Sequence, residues 1–188
     1  SRYIDEAWQY LGQALLTTRN YQEALEALEK VQDKTAENYK ALQRIAYQRG
    51  LELFNNLRFA EAIDMLQYSL QYGDYDRTMK VKSHYWLGEA YYRQGEYDKA
   101  IENYDTFIRT SGSYQLDEFK TAHYNLGYAW FKKKNYHEAA SWFRKYENLK
   151  DGRQSPRLGD ALSRIGDAFF MQRDFQRAID YYERATNV

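Results

Sequence analysis

The chain has 188 residues, of which 44% are hydrophobic and 29% charged, which is typical of a folded globular protein and excludes a disordered one. Lys plus Arg equal Asp plus Glu, and a net charge of zero argues against nucleic acid or an anionic membrane as the main partner. Cysteine is absent, which excludes disulfides and thiol chemistry, and no apolar run reaches the roughly 18 residues of a membrane span.

Glycines recur inside apolar helical patterns at separations of 38, 38, 39 and 39 residues. These repeat glycines are Gly12, Gly50, Gly88, Gly127 and Gly166. Twelve residues after each stands an alanine, namely Ala24, Ala62, Ala100, Ala139 and Ala178. An aromatic residue lies between each pair, namely Tyr21, Phe59, Tyr97, Tyr136 and Phe175. This spacing predicts a single array, residues 1–188, of five repeats at about 1–35, 36–74, 75–113, 114–153 and 154–188.

Each repeat is predicted to contain two helices. In the third repeat, His84, Leu87, Gly88 and Tyr91 share one helix face, and a second helix follows the break at Gln94-Gly95-Glu96. Two helices that pack at the close end of the usual 8–10 Å range need small residues at their crossing. The repeat glycine and alanine are therefore expected to mark that crossing. Turn residues place the joints between repeats at 33–37, 72–76, 110–115 and 151–155.

Two stretches carry a specific resemblance. They are HYWLGEAYY at 84–92 with GEYDKAI at 95–101, and YNLGYAWF at 124–131 with NYHEAA at 135–140. Both resemble the tetratricopeptide repeat, and Trp8 before Leu11-Gly12 keeps the tryptophan of the family. The resemblance implies an all-α fold, a right-handed α-solenoid of about five helical hairpins. It also implies an extended concave surface lined by the first helix of each repeat.

Two departures from the family pattern separate this chain from its ordinary members. The family period is 34 residues, whereas the repeat glycines of this chain are 38 or 39 residues apart. The proline that usually follows the second helix in the family is missing here. Arg49 also stands where the family prefers an aliphatic residue. Long repeats of this kind resemble those of bacterial envelope proteins, such as outer-membrane assembly lipoproteins and the periplasmic cell-division coordinator. That resemblance favours the periplasm or cell envelope over the cytoplasm.

The concave surface implied by the family lies opposite the Gly–Leu side of each first helix. The residues predicted to bind a partner there are Tyr47, Tyr85, Trp86, Glu89, Tyr92, Arg93, Tyr124, Asn125, Tyr128, Phe131, Lys132 and Arg164. Phe54, Asp160, Asp167 and Phe170 fall on the same side of their helices. Mixed aromatic and charged side chains suit an extended peptide or a helix. The alternative is that these aromatic residues pack between repeats without touching a ligand.

No catalytic or metal-binding pattern accompanies the repeats. His84 and His123 occupy the same position of successive repeats, but a metal needs three or four ligands, so helix packing is favoured for both. His137-Glu138 has no second histidine four residues later, so the zinc-protease motif is absent. The chaperone-binding members of the family use a Lys, Asn and Arg clamp, and the matching positions here do not form one. No cofactor is expected.

The leading interpretation is therefore a non-enzymatic scaffold that binds another protein or peptide. The alternative is a structural array that assembles with itself and has no dedicated ligand. Ala178, Ile179, Tyr181, Tyr182 and Ala185 give the last helix an apolar side with no following helix to cover it. The chain is thus expected to be a piece of a longer array and, in isolation, to bury this side by self-association through the C-terminal helix or by crystal contacts, or to fray there.

Overall fold

A computed structural model describes residues 2–149 and 156–188, and within these ranges the chain forms ten α-helices, one short 3₁₀ turn and no strand. The helices are α1 (Arg2–Thr17), α2 (Tyr21–Glu29), α3 (Ala36–Asn55), α4 (Phe59–Gln71), α5 (Arg77–Gln94), α6 (Tyr97–Arg109), α7 (Glu118–Lys132), α8 (Tyr136–Asn148), α9 (Leu158–Met171) and α10 (Phe175–Thr186). Each of the five predicted repeats contains two of them. The predicted all-α helical repeat fold is confirmed.

The first five helices form one compact unit, Ser1–Gln94, called here the N-terminal unit. Each helix packs on the next one along the chain, and α3 also touches α5. The core between α2 and α3 contains Leu25, Leu28, Val31, Leu42, Ile45 and Ala46. The second helix of one repeat thus supports the first helix of the next.

The last five helices form the second compact unit, Gly95–Val188, called here the C-terminal unit. The same order of packing continues from α6 to α10. Its core contains Ala139, Ala140, Phe143, Tyr146, Leu158, Ala161, Leu162, Ile165, Ala168, Phe169 and Ala178. Apolar residues three and four positions apart on α8 and α9 supply most of this core, as the helical spacing predicts.

Gly12, Gly50, Gly127 and Gly166 each lie against a side chain of the second helix of their hairpin. A Cβ atom on Gly50 would lie 2.8 Å from Cγ of Leu66 and 3.4 Å from the carbonyl oxygen of Ala62. A Cβ atom on Gly127 would lie 2.7 Å from the ring of Phe143. The close approach is as predicted in both hairpins. The side chain that fills the space, however, lies four residues beyond the repeat alanine.

The turn between the two helices of a repeat always contains a residue with a left-handed backbone. It stands seven residues after the repeat glycine, at Arg19, Leu57, Gly95, Lys134 and Arg173, with φ between 59° and 80°. In the second repeat the N–H of Arg58 then donates to the carbonyl of Leu53 at 2.9 Å, which closes the end of α3. This is the usual way for a helix to end on a left-handed residue.

The joint at 72–76 is held by a buried side chain of α3. Gln43 is fully buried, and its Nε2 donates to the carbonyl oxygen of Asp76 at 2.8 Å. The ring of Tyr39 stacks on Tyr72 at 5.6 Å and on Tyr75 at 5.3 Å. The extra residues of the long repeat are therefore packed against the preceding first helix. The predicted joint at 151–155 lies outside the described residues.

Candidate functional site

In the N-terminal unit, the predicted binding residues lie on α3 and α5. Tyr47 and Tyr85 are buried, with only 7% and 6% of their surface exposed. Trp86, Glu89 and Tyr92 are partly buried, and Arg93 is exposed. The accessible part of this predicted surface therefore comes mainly from Trp86, Glu89, Tyr92 and Arg93.

Trp86 of α5 contacts α3, the first helix of the preceding repeat. Its ring lies edge-on to Phe54 of α3, with 5.2 Å between centroids, and to Tyr85 at 5.3 Å. Phe54 also packs edge-on against Phe59 at the start of α4, at 5.2 Å. Edge-to-face contacts of this kind fix the orientation of aromatic rings. Trp86 is thus a partly exposed side chain whose position is set by a neighbouring repeat.

In the C-terminal unit, α7 carries Tyr124, Asn125, Tyr128, Phe131 and Lys132. Arg164 lies on α9, the first helix of the next repeat. Lys132 is exposed, and the other side chains are partly buried. Two hydroxyl groups of α7 converge on one carboxylate of α9. The hydroxyls of Tyr124 and Tyr128 donate to Oδ2 of Asp160 at 2.6 and 2.5 Å.

The same carboxylate belongs to a larger network on α9. Arg164 lies between two carboxylates, with its Nη1 at 2.6 Å from Oδ2 of Asp167 and its Nε at 3.7 Å from Oδ1 of Asp160. The hydroxyl of Tyr182 on α10 donates to the other oxygen of Asp167 at 2.8 Å. The α7–α9 network is defined here as Tyr124, Tyr128, Asp160, Arg164, Asp167 and Tyr182. It holds polar side chains of three helices in one arrangement.

Burial and the nearby carboxylates keep the tyrosines of this network protonated. Burial, followed by the hydrogen bond to Asp160, raises the pKa of Tyr128 to about 12, and the same two causes raise the pKa of Tyr124. Burial and the hydrogen bond to Asp167 likewise raise the pKa of Tyr182 to about 12. These hydroxyls are therefore hydrogen-bond donors across the neutral range. They position the two carboxylates rather than exchange protons.

Sequence reasoning placed Asp160 and Asp167 on this side of α9 but missed Tyr182. Tyr182 lies on α10 at the position that faces the repeat glycine, where Leu28, Leu66 and Phe143 stand in other repeats. The third repeat also has a tyrosine at this position, Tyr104, so the sequence held no signal that singled out Tyr182. Its ring fills the space over Gly166, and its hydroxyl reaches beyond the core to the carboxylate.

The structure gives His123 a packing role. It is 6% exposed, its Nδ1 lies 2.9 Å from the carbonyl oxygen of Phe119, and its ring contacts Trp142 at 5.6 Å. Burial lowers its pKa and favours the neutral ring. Among residues 2–149 and 156–188, no group of three potential ligand side chains could hold a metal ion. Over the same residues, no helix combines the length and apolarity needed to cross a membrane.

Comparison with protein families identifies the repeats. The family described as tetratricopeptide repeat matches residues 4–39, 47–114, 87–156 and 149–187, which together span nearly the whole chain. No curated protein sequence matches the chain significantly.

Several solved structures have the same fold. BtubC from P. vanneervenii has a TM-score of 0.71 and 16% identity over 97% of this chain and 76% of its own. MamA from Desulfovibrio magneticus RS-1 has a TM-score of 0.64 and 17% identity, with coverage of 97% and 93%. A putative kinesin light chain with TPR-like repeats from Podosopora anserina has a TM-score of 0.59 and 15% identity, with coverage of 97% and 92%. At such identities the likeness concerns the fold alone.

Proposed function

Because this chain belongs to the tetratricopeptide-repeat family, we propose that it is a scaffold that binds a peptide or a helix of a partner protein. Repeats of this family generally mediate protein–protein interactions and are generally non-catalytic. The proposed binding surfaces are formed by the first helices of the repeats. They comprise α3 and α5 in the N-terminal unit, and α7 and α9 in the C-terminal unit.

One observation carries this proposal: side chains of successive first helices meet in a fixed arrangement. Phe54 of α3 holds Trp86 of α5, and Asp160 of α9 holds Tyr124 and Tyr128 of α7. A surface whose side chains are already ordered loses less conformational entropy when a ligand binds. The proposed surfaces are in this sense preorganised for binding a partner.

The chemistry of these surfaces supports a partner that is partly apolar and partly polar. Trp86 and Tyr128 offer aromatic area, which often dominates the energy of an interface. Glu89, Arg93 and Arg164 place charges of both signs nearby. An amphipathic helix or an extended peptide with alternating side chains could contact both kinds of group.

The experiment uses a defined probe. A fluorescein-labelled synthetic peptide is chosen from a random phage-displayed library by its binding to the native chain, and fluorescence anisotropy gives its affinity. Trp86→Ala tests the N-terminal unit and Tyr128→Ala tests the C-terminal unit. A peptide that uses one of these surfaces should bind about tenfold more weakly to the matching variant.

Tyr114→Ala is the matched control, because Tyr114 is 68% exposed and lies in the 3₁₀ turn Ser113–Gln115, outside the first helices. Circular dichroism should show native helicity for all three variants. If Trp86→Ala or Tyr128→Ala unfolds the chain, the side chain belongs to the core. Unchanged affinity in both variants would place the peptide on another surface and contradict the proposal.

A further inference from the structure

The chain makes the same helix contact repeatedly, and one position shows it clearly. The residue thirteen positions after the repeat glycine lies on the second helix of each repeat. It is 5% exposed at Leu25, 7% at Ile63 and 1% at Ala140, and Ile101 of the third repeat is partly buried. In those repeats the second helix packs on the first helix of the next one. The equivalent residue of α10 is Ile179, which is 50% exposed.

Other apolar side chains near Ile179 are exposed as well. We define the α10 surface as Phe175 and Ile179 of α10 together with Phe170 and Met171 at the end of α9, each between 50% and 53% exposed. Among the residues of α10, only Ala178 is buried. Half-exposed large apolar side chains that are clustered in this way mark interaction sites.

The first helix of the first repeat exposes the other half of the same contact. The residue before the repeat glycine is 2% exposed at Leu87 and 0% at Leu126 and Ile165, but it is 43% exposed at Leu11. Tyr10, next to Leu11, is 70% exposed. We define the α1 surface as Tyr3, Ile4, Tyr10 and Leu11, each between 43% and 83% exposed.

We propose that the α10 surface of one chain binds the α1 surface of a second copy of the same chain. The contact would repeat between copies the packing of α4 on α5 and of α8 on α9 within one chain. Ile179 would then be covered as Ile63 and Ala140 are. Leu11 would be covered as Leu126 and Ile165 are.

Aromatic positions at this contact match those of an existing joint. Phe54 stands four residues after its repeat glycine, and it packs on Trp86, which stands two residues before the next repeat glycine. The equivalent positions are Phe170 on the α10 side and Tyr10 on the α1 side. Both are large exposed aromatic residues, so the edge-on contact can form again between copies.

Charge complementarity supports the same alignment. Between the first two repeats, the hydroxyl of Tyr68 donates to Glu29 at 2.7 Å. Glu183 on α10 stands at the same distance from its repeat glycine as Glu29 does. Likewise, Lys30 on α2 stands at the same distance from its repeat glycine as Tyr68 does. Glu183 and Lys30 are both exposed. The proposed contact therefore brings a carboxylate against an ammonium group, which selects this register over others.

None of the residues of this contact is among those proposed to bind the peptide, but Phe170 lies on the same side of α9 as Asp160 and Asp167. The contact is heterologous: each copy uses two different surfaces, one on α1 and one on α10. Either surface can therefore be blocked while the other stays available. That property allows a decisive experiment.

The experiment compares Leu11→Glu, Ile179→Glu and the native chain by sedimentation velocity over a range of concentrations. Both residues are partly exposed, so a charge at either should leave the fold intact while opposing burial at a contact. The native chain should self-associate, and each variant alone should do so about tenfold more weakly or not at all. An equimolar mixture should form a one-to-one complex, because one intact α10 surface remains to meet one intact α1 surface.

Tyr114→Glu is the control and should associate as the native chain does. Self-association of Leu11→Glu at native strength would mean that two α10 surfaces pair, and the same result for Ile179→Glu would mean that two α1 surfaces pair. A native chain that stays monomeric at all concentrations, or a mixture that does not associate, would also overturn the proposal. Circular dichroism verifies that each variant is folded.

Discussion

Four of the five left-handed turn residues carry side chains, although glycine adopts this backbone more easily. Arg19, Leu57, Lys134 and Arg173 have φ near 60°, and Gly95 alone among the five avoids the steric conflict with Cβ. Leu57 is 74% exposed, so packing offsets little of its strain. Glycine and proline signals in the sequence could find the turn at Gly95 only. The others follow from their equal distance to the repeat glycine.

We expect Leu57→Gly to stabilise the protein by about 1 kcal/mol, because the strained backbone is relieved and little apolar contact is lost. Urea unfolding monitored by circular dichroism measures the difference. Asn56→Gly is the matched control: Asn56 is also exposed, but its φ is −85°, so glycine there only adds freedom to the unfolded chain. Equal effects of the two substitutions would show that backbone strain is not the cause.

At the scale of helix pairs, the distance between two helices depends on one small residue and one large one. Leu28, Leu66, Phe143 and Tyr182 fill the space in front of Gly12, Gly50, Gly127 and Gly166. The sequence predicted a close crossing from the glycine and alanine spacing. It could not tell which side chain covers the glycine, because the rotation of the second helix depends on its packing with the next repeat.

Gly127→Ala should destabilise the C-terminal unit by about 1–3 kcal/mol, because the added methyl group would lie 2.7 Å from the ring of Phe143. The penalty has to exceed the gain of about 1 kcal/mol that alanine brings to a helix. Chemical denaturation of the variant and the native chain gives this difference.

Gly159→Ala is the control for that substitution. Its nearest neighbour, the carbonyl oxygen of Ala185, is 3.6 Å from the added methyl group, which is an ordinary contact. Gly159→Ala should leave the free energy of unfolding unchanged or raise it. A Gly127→Ala variant as stable as Gly159→Ala would mean that Phe143 moves aside without cost.

At the scale of the whole molecule, periodicity in the sequence was enough to predict the helical repeats and their number. It did not predict burial within the proposed surfaces. Tyr47 and Tyr85 share helix positions with the partly exposed Tyr124, yet both are buried. Exposure depends on the side chains of neighbouring repeats, and these vary while the repeat glycine and alanine do not. Contacts between distant residues, such as that of Tyr182 with Asp167, depend on the same packing.

Uneven burial along the chain predicts uneven protection from hydrogen exchange. In α9, seven residues including Leu162, Ile165 and Phe169 are buried, whereas in α10 only Ala178 is. Local opening of α10 should therefore expose less apolar surface to water than opening of α9, and it should cost less free energy. In a dilute solution of single chains, amides of α10 should exchange at least about tenfold faster than those of α9, as measured by mass spectrometry or NMR.

If copies pair through α10 and α1, a rise in protein concentration should slow exchange in both of these helices and leave exchange in α9 unchanged. Equal protection of α9 and α10 in a solution shown by light scattering to be monomeric would mean that the hydrogen bonds and partly buried tyrosines of α10 stabilise it without any further covering.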